Sequence, residues 1–299
     1  MINKMVTAII STHMRPINIL KRAIQSVLNQ TYSNFELIIV NDAPDYAGNI
    51  EIAEYVNSLQ DKRIDYIIND EKPGACASRN IGIRKANGEF VALLDDDDEW
   101  CSTKLEEMLP LFSDENIGLV FCDYDNIKDD KPISRKKPIL YTNDAFTHLL
   151  SNNFIGGCSV PIIRTCCFEK SGLFDEELPS CQDIDMWLRI AKDYQIVYLD
   201  KVLVHYYISG NSITGNYKRR VTGWNMILKK YSVYFESNQS ARRQWQKNVV
   251  TVQITYGSVK EALHYYFEYF KGTDRIQQGS ILLEGLVKKM LYFLFNRRT

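Results

Sequence analysis

The sequence predicts an α/β protein built on a mostly parallel sheet flanked by helices, with a helical extension at the C-terminal end. Three observations lead there. Up to Asp98, short apolar runs rich in β-branched residues alternate with stretches of helical periodicity, the pattern of βαβ units. The joins between them are short and carry Pro, Gly, Asn or Asp, so the crossovers are right-handed and helices cover both faces of the sheet. From Tyr217 onward the pattern turns to long helical segments rich in Tyr, Phe, Lys and Arg, which divides the 299 residues into 1–216 and 217–299.

The elements follow in order. "VTAII" from Val6 is a buried strand. Pro16 opens the next helix, where its missing N–H is not needed, and Ile17, Leu20, Ile24, Val27 and Leu28 keep helical spacing. "FELIIV" from Phe35 is a second strand ending at Asn41-Asp42. A helix carrying Ile52, Tyr55, Val56 and Leu59 leads to the short strand "IDYII". Pro73-Gly74 introduces a helix from Ala75 to Lys85, and Asn87-Gly88 ends it. "FVALL" from Phe90 is a fourth strand, followed at once by Asp95-Asp96-Asp97-Asp98. Beyond Trp100 a helix starts at Thr103, with Glu106 placed to complete a capping box. "IGLVFC" from Ile117 reads as a strand, and the Lys/Asp/Pro-rich stretch from Lys128 to Pro138 as an exposed loop.

Several function classes are set aside by composition. Met1 runs straight into the first strand without a secretory-signal pattern, and no window approaches the roughly 20 apolar residues of a membrane span. The expected location is the cytoplasm, with the inner face of the membrane as an alternative. Seven cysteines without a C-x-x-C pair fit reduced core residues better than a disulfide framework or zinc site. The net charge of −1 conceals a division: 217–299 holds 15 basic and 5 acidic residues, and the rest holds 21 and 32. The basic residues are spread through helices without a nucleic-acid-binding motif, so no nucleic-acid partner is expected.

The four aspartates carry the chemistry. A surface run of this kind is ordinarily solvated, and on position alone a decorative acidic turn stands level with a metal–phosphate site. Its place at the carboxyl end of a buried strand is where such sheets bind ligands, and Asp42 ends another strand on that side. Clustered carboxylates held in a cleft suit Mg²⁺ or Mn²⁺, with a diphosphate completing the ligand set.

Four segments in order, "TAIISTHMRP", "QSVLNQTYSNFELIIVND", "GACASRNIGIRKANGEFVALLDDDDEW" and "GGCSVPIIRTCCFEKSGLFDEELPSCQDIDMWLRIA", resemble family 2 of the inverting glycosyltransferases, over about Met5 to Ser212. The resemblance implies the GT-A fold, a nucleotide-sugar donor such as a UDP-sugar, and bacterial surface-polysaccharide synthesis. It places Thr12 in a first loop lining the base pocket, and Asp42 as acceptor from uracil. It sets Arg79 and Asn80 near the donor, Asp95 facing the nucleotide and Asp97 on the metal; Asp96 competes because four aspartates leave the register open by one. Asp183 corresponds to the catalytic base, against the alternative that Ser180 and Asp183 cap a helix. Gln182 departs from the family's usual glutamate. Ser209 stands where relatives carry a histidine, with His205 four residues earlier.

The implied acceptor is a saccharide or lipid-linked saccharide. The rival readings are a catalytically degenerate nucleotide-binding subunit and a sugar nucleotidyltransferase, the latter disfavoured because "STHMRP" lacks a glycine-rich phosphate loop. "ILLEGLVKKMLYFLFNRRT" suits a helix lying in an anionic membrane interface, or equally a core-packing helix or the interface of a homo-oligomer.

Overall fold

The computed structural model describes residues 4–129, 131–133, 144–208, 216–270, 285, 286 and 289. The chain divides into two compact units. The first comprises Met1–Phe146, Asn153–Glu176 and Gln182–Ser209; the second comprises Thr147–Asn152, Glu177–Cys181 and Gly210–Thr299.

Hydrophobic alternation in the first unit becomes β1 (Val6–Thr12), α1 (Ile17–Leu28), β2 (Phe35–Asn41), α2 (Asn49–Ser58), β3 (Ile64–Ile68), α3 (Ala75–Lys85) and β4 (Phe90–Asp95). β3, β2, β1 and β4 lie side by side in that order, all parallel. The register sets Thr12 beside Asn41 and Ser11 beside Asp95, so Asp42 and the acidic run emerge from one edge. Ala8, Ile9, Ile10, Leu37, Ile39, Ala92 and Leu93 are buried, as continuous apolar runs in a two-sided parallel sheet require. Gly88 lies between α3 and β4, where an added Cβ would sit 2.6 Å from Thr7 N and 2.8 Å from Met5 O, so the close backbone approach needs glycine.

Past β4 the sheet becomes mixed, in keeping with the mostly parallel sheet expected. β5 (Glu99–Trp100), α4 (Lys104–Met108), β6 (Ile117–Lys128), β7 (Lys131–Ile133), α5 (Ala145–Ser151), β8 (Ile162–Arg164), α6 (Cys166–Ser171), α7 (Gln182–Ala191) and β9 (Gln195–Tyr207) complete the order β3-β2-β1-β4-β8-β6-β9-β5. β8 is antiparallel to both β4 and β6, whereas the long β9 runs parallel to β6 with register shifts near Asp123.

Two local expectations are corrected. The Lys128–Pro138 loop begins as a hairpin, with Ile127 opposite Pro132 and Lys128 opposite Lys131; residues 134–138 fall outside the described set. No capping box forms at α4, because the Thr103 hydroxyl turns to Glu107 while Glu106 accepts from Thr31 at 2.5 Å.

In the second unit α8 (Tyr217–Lys230), α9 (Ser232–Ser237), α10 (Gln239–Tyr256) and α11 (Val259–Phe270) are helical. Asn216 and Asn238 cap α8 and α10 by accepting from Arg219 N and Ala241 N. Val250, Ile254, Ala262 and Tyr266 form a local core, and Trp245 Nε1 donates to Leu150 O at 2.7 Å. Among the described residues no helix is long and apolar enough to cross a membrane. Apart from 285, 286 and 289, the terminal segment read as an interface helix lies outside the described residues, as does Ser209. All seven cysteines are free, and Cys76, Cys122, Cys158 and Cys167 are buried.

Candidate active site

The acidic run folds as a tight turn at the end of β4, closed by Asp98 N donating to Asp95 O at 3.0 Å. Four adjacent carboxylates cannot be held together without compensation, and the first unit supplies it from distant segments. Arg15, in the loop after β1, reaches Asp96 Oδ1 with Nε at 2.9 Å and Nη2 at 2.7 Å, and Asp97 Oδ2 with Nη2 at 3.1 Å. Arg22 of α1 donates to Asp97 O at 2.6 Å and stacks on Tyr207, its guanidinium carbon 3.4 Å from the ring centre. Arg79 of α3, almost fully buried, donates to Asp95 Oδ1 at 2.6 Å.

Asp98 is buried and faces inward. It accepts from Ser159 Oγ at 2.5 Å and from Tyr207 N at 3.2 Å. Ser159 also accepts from Asp95 N at 3.0 Å, so one hydroxyl spans the turn from first residue to last. Its segment is clamped in turn. Trp100 Nε1 donates to Ser159 O at 2.9 Å, and Lys104 Nζ, fully buried, donates to Val160 O at 2.8 Å. Burial pushes the Lys104 ammonium down to about 8. Burial, followed by the charge of Asp95, lifts Asp98 well above the ordinary carboxylate range, and the Ser159 hydrogen bond opposes that rise. Ser159→Ala is expected to cost about 1–3 kcal/mol of stability by stranding the Asp98 carboxyl and Asp95 N–H; chemical denaturation measures it, and a change below about 0.5 kcal/mol would remove Ser159 from this role.

Asp97 is less fully compensated. Burial and the charge of Asp95 raise it to about 6, with Arg15 pulling the other way. Its side chain keeps 24% exposure, against 7% for Asp96. Among the described residues no three His, Cys, Asp or Glu side chains group as a metal cage. A divalent cation here would therefore take Asp97 and draw its other ligands from water or phosphate, the arrangement Mg²⁺ and Mn²⁺ favour with nucleotides. The residues present fit such an ion.

Thr12 ends β1 rather than lying in the following loop, and among the described residues its buried Oγ1 has no hydrogen-bond partner. Asp42 stands beside it, with Asp42 N donating to Thr12 O at 2.8 Å. Its carboxylate accepts from Asn69 Nδ2 at 2.8 Å and from Gly74 N at 2.6 Å; Gly74 holds φ at 135°, a conformation that favours glycine. Two oxygens offer about four acceptor positions, so Asp42 retains capacity for a further donor.

The Asn80 amide donates to Phe174 O and Glu176 Oε1 and accepts from Phe174 N, all at 2.9 Å, so it fixes the loop after α6. Asp183 lies in the first turn of α7, accepting from Ile184 N at 2.8 Å and from Asn153 Nδ2 at 3.0 Å. Ser180 Oγ donates to Arg219 O at 3.0 Å. Burial raises Asp183, opposed first by the Ile184 N–H and then by the Arg79 charge. Arg79 Nη1 also lies 3.5 Å from Gln182 Oε1, so this guanidinium joins the first aspartate of the run to the start of α7. His205 sits opposite Glu99 across β5 and β9, with Nδ1 3.7 Å from its carboxylate.

Sequence reasoning missed Arg15, Arg22, Ser159, Asn153 and Tyr207. Arg15 was within reach, standing three residues after Thr12 in the first quoted segment. The others are single polar residues in apolar or mixed surroundings, without spacing to mark them.

Comparison with known proteins adds an independent line. The family model described as glycosyl transferase family 2 matches residues 7–173. WcaA of Escherichia coli (strain K12), a glycosyl transferase assigned to colanic acid biosynthesis, is 29% identical over 253 residues, covering 79% of this chain and 89% of WcaA. WfgD of Escherichia coli, a UDP-Glc:alpha-D-GlcNAc-diphosphoundecaprenol beta-1,3-glucosyltransferase, is 28% identical over 235 residues, covering 78% of this chain and 87% of WfgD. The solved structure of the mannosyltransferase PcManGT from Pyrobaculum calidifontis, in complex with GDP-Man and Mn²⁺, superposes with a TM-score of 0.59 at 16% identity, over 95% of this chain and 86% of that one. The shared fold is GT-A.

Proposed function

The chain belongs to glycosyl transferase family 2, and from that premise we propose that it moves a sugar from a nucleotide-sugar donor to an acceptor hydroxyl with inversion, in cell-surface polysaccharide synthesis. The observation that carries the reading is the meeting of Asp95, Arg79 and the start of α7, which brings the acidic turn and Asp183 into one electrostatic group.

The orphaned Thr12 hydroxyl and the spare acceptor capacity of Asp42 suit a nucleobase at the ends of β1 and β2. UDP is the favoured nucleotide, supported by the UDP-glucose in the printed name of WfgD. Asp97 would hold Mn²⁺ or Mg²⁺; when bound, the ion supplies Lewis-acid stabilisation to the departing diphosphate. Asp95, paired with Arg79, faces the nucleotide.

Asp183 takes the proton from the acceptor hydroxyl. Its Asn153 and Ile184 hydrogen bonds fix the carboxylate plane, and with the residue's own N–H they leave about one of four acceptor positions for the acceptor hydroxyl. Its raised pKa makes it a stronger base than an exposed aspartate, provided it is ionised at working pH. The freed hydroxyl oxygen attacks the anomeric carbon opposite the leaving nucleoside diphosphate, which inverts that centre. The chain's part is positioning and charge, with the reactants held for in-line attack.

The relatives support a saccharide acceptor carried on a lipid, as the diphosphoundecaprenol in the name of WfgD indicates for that enzyme. The acidic residues of the first unit and the basic ones of 217–299 suit contact of the latter with an anionic membrane face from the cytoplasmic side. A homo-oligomer is the alternative use of that surface.

A thermal-shift screen of nucleotide sugars, each with Mn²⁺ and with Mg²⁺, tests the donor site. One nucleotide sugar is expected to raise the melting temperature of the wild type in the presence of the ion. Asp97→Ala is expected to lose most of that rise, a weakening of binding by roughly tenfold or more if one charge-assisted contact of about 1.5–3 kcal/mol disappears. Stabilisation of neither protein by any nucleotide sugar would overturn the assignment; equal stabilisation of both would remove Asp97 as the ion's ligand.

A further inference from the structure

Arg15 and Arg22 compensate the acidic turn in different ways. Arg22 donates to a backbone carbonyl and is stacked on Tyr207, contacts that an incoming cation leaves alone. Arg15 instead spreads its fork over two carboxylates. On Asp96 it places both Nε and Nη2, and that carboxylate is 7% exposed and also receives His13 N at 3.4 Å. On Asp97 it places Nη2 alone, at 3.1 Å, against a carboxylate that is 24% exposed. One arm is anchored and the other is thinly held. That thinly held contact sits on Oδ2 of Asp97, one of the two oxygens a divalent cation could take.

Building on the glycosyltransferase reading, we propose that Arg15 is the resident counter-ion of the acidic turn and exchanges Asp97 for the donor's diphosphate. Without nucleotide, the guanidinium holds Asp97 against its neighbouring carboxylates. A divalent cation takes over the Asp97 oxygen, while the two contacts to Asp96 keep Arg15 in place. Of the two Nη2 hydrogens one stays on Asp96, and the other, released from Asp97, is then free to meet phosphate oxygens. A planar guanidinium binds phosphate as well as carboxylate, so with nucleotide present the exchange replaces one charge-assisted contact by another. With the cation alone, nothing replaces the lost contact. Arg15 thus couples the two ligands: it opposes the metal by itself and favours the metal with the nucleotide, and linkage makes the coupling reciprocal.

Calorimetric titration at about pH 8, above the value of about 6 to which Asp97 is raised beside Arg15, reads this directly. Mn²⁺ is titrated alone, and UDP is titrated at saturating Mn²⁺, into the wild type, Arg15→Gln and Arg15→Lys. Arg15→Gln is expected to bind Mn²⁺ alone about tenfold more tightly and UDP about tenfold more weakly, within the usual span of coupling effects. Arg15→Lys keeps the charge without the fork and is expected to fall between. Far-UV circular dichroism confirms that each variant is folded, and the Lys variant carries the test if the Gln variant is not. Unchanged or weakened Mn²⁺ binding in the variants, with wild type still binding UDP and Mn²⁺ together, overturns the exchange and leaves the glycosyltransferase reading standing. Failure of the wild type to bind UDP with Mn²⁺ overturns the exchange along with the UDP assignment on which it rests.

Discussion

Replacing Asp183 by Asn is expected to lower sugar transfer by about 10²–10⁴-fold while leaving donor binding close to that of the wild type. Asn is nearly isosteric and can still accept from Ile184 N, so α7 keeps its start. What disappears is the capacity to take a proton. The measurement is nucleoside-diphosphate release with the donor identified by thermal shift and a lipid-linked saccharide acceptor, together with calorimetry of UDP. Transfer within threefold of wild type would exclude Asp183 as base. The wild-type pH profile carries a second expectation. Asp183 must be ionised to act, and burial raises it, so activity falls with decreasing pH in a limb lying above the ordinary aspartate range. That limb should vanish in the Asn variant.

Arg79→Gln is expected to cost about 3 kcal/mol of stability by removing the cation of a largely buried pair. Arg79 is almost fully enclosed, whereas Asp95 keeps 29% exposure, which places the cost near the lower end for broken buried pairs. The substitution acts on chemistry as well. The Arg79 charge holds Asp183 down, so its loss moves the acid limb of the pH profile upward. Arg79→Lys restores the charge without the full reach of the fork, and should return the limb toward wild type more completely than the stability. Urea denaturation and a pH–rate profile measure the two effects. An unshifted limb in Arg79→Gln would separate Arg79 from Asp183.

The strands from β1 to β4 were legible because each is an apolar, β-branched run that ends in a polar turn, and burial on both faces leaves no polar alternation to blur them. The antiparallel part was not. β8 has three residues and draws its order from β4 and β6 on either side. β9 mixes buried Leu203 and Val204 with exposed Asp200 and Lys201, so no single period describes it. The capping box at Thr103 had the right letters, yet Glu106 found Thr31, a partner brought by folding. The site divides in the same way. Asp42, Asp95, Asp97 and Asp183 stand in recognisable segments, whereas Ser159 and Tyr207 acquire meaning only when β8 and β9 are in place. Asn80 also stands in a recognisable segment, but the contacts of its amide with Phe174 and Glu176 could be read only from the fold.

The hold of Tyr207 on Asp98 has a consequence for biosynthesis. The two residues are 109 positions apart, so at about 5–20 residues per second the ribosome emits the acidic turn roughly 5–20 s before the strand that closes it. During that interval the nascent chain already carries Arg15, Arg22 and Arg79, which can begin to balance the four carboxylates. It lacks Tyr207 throughout, and Ser159 for the first 61 positions, the two groups that bring the last aspartate inside. The site is thus charge-balanced early and given its final shape late, and a nascent chain arrested before Tyr207 would present an acidic loop that has not yet become a site.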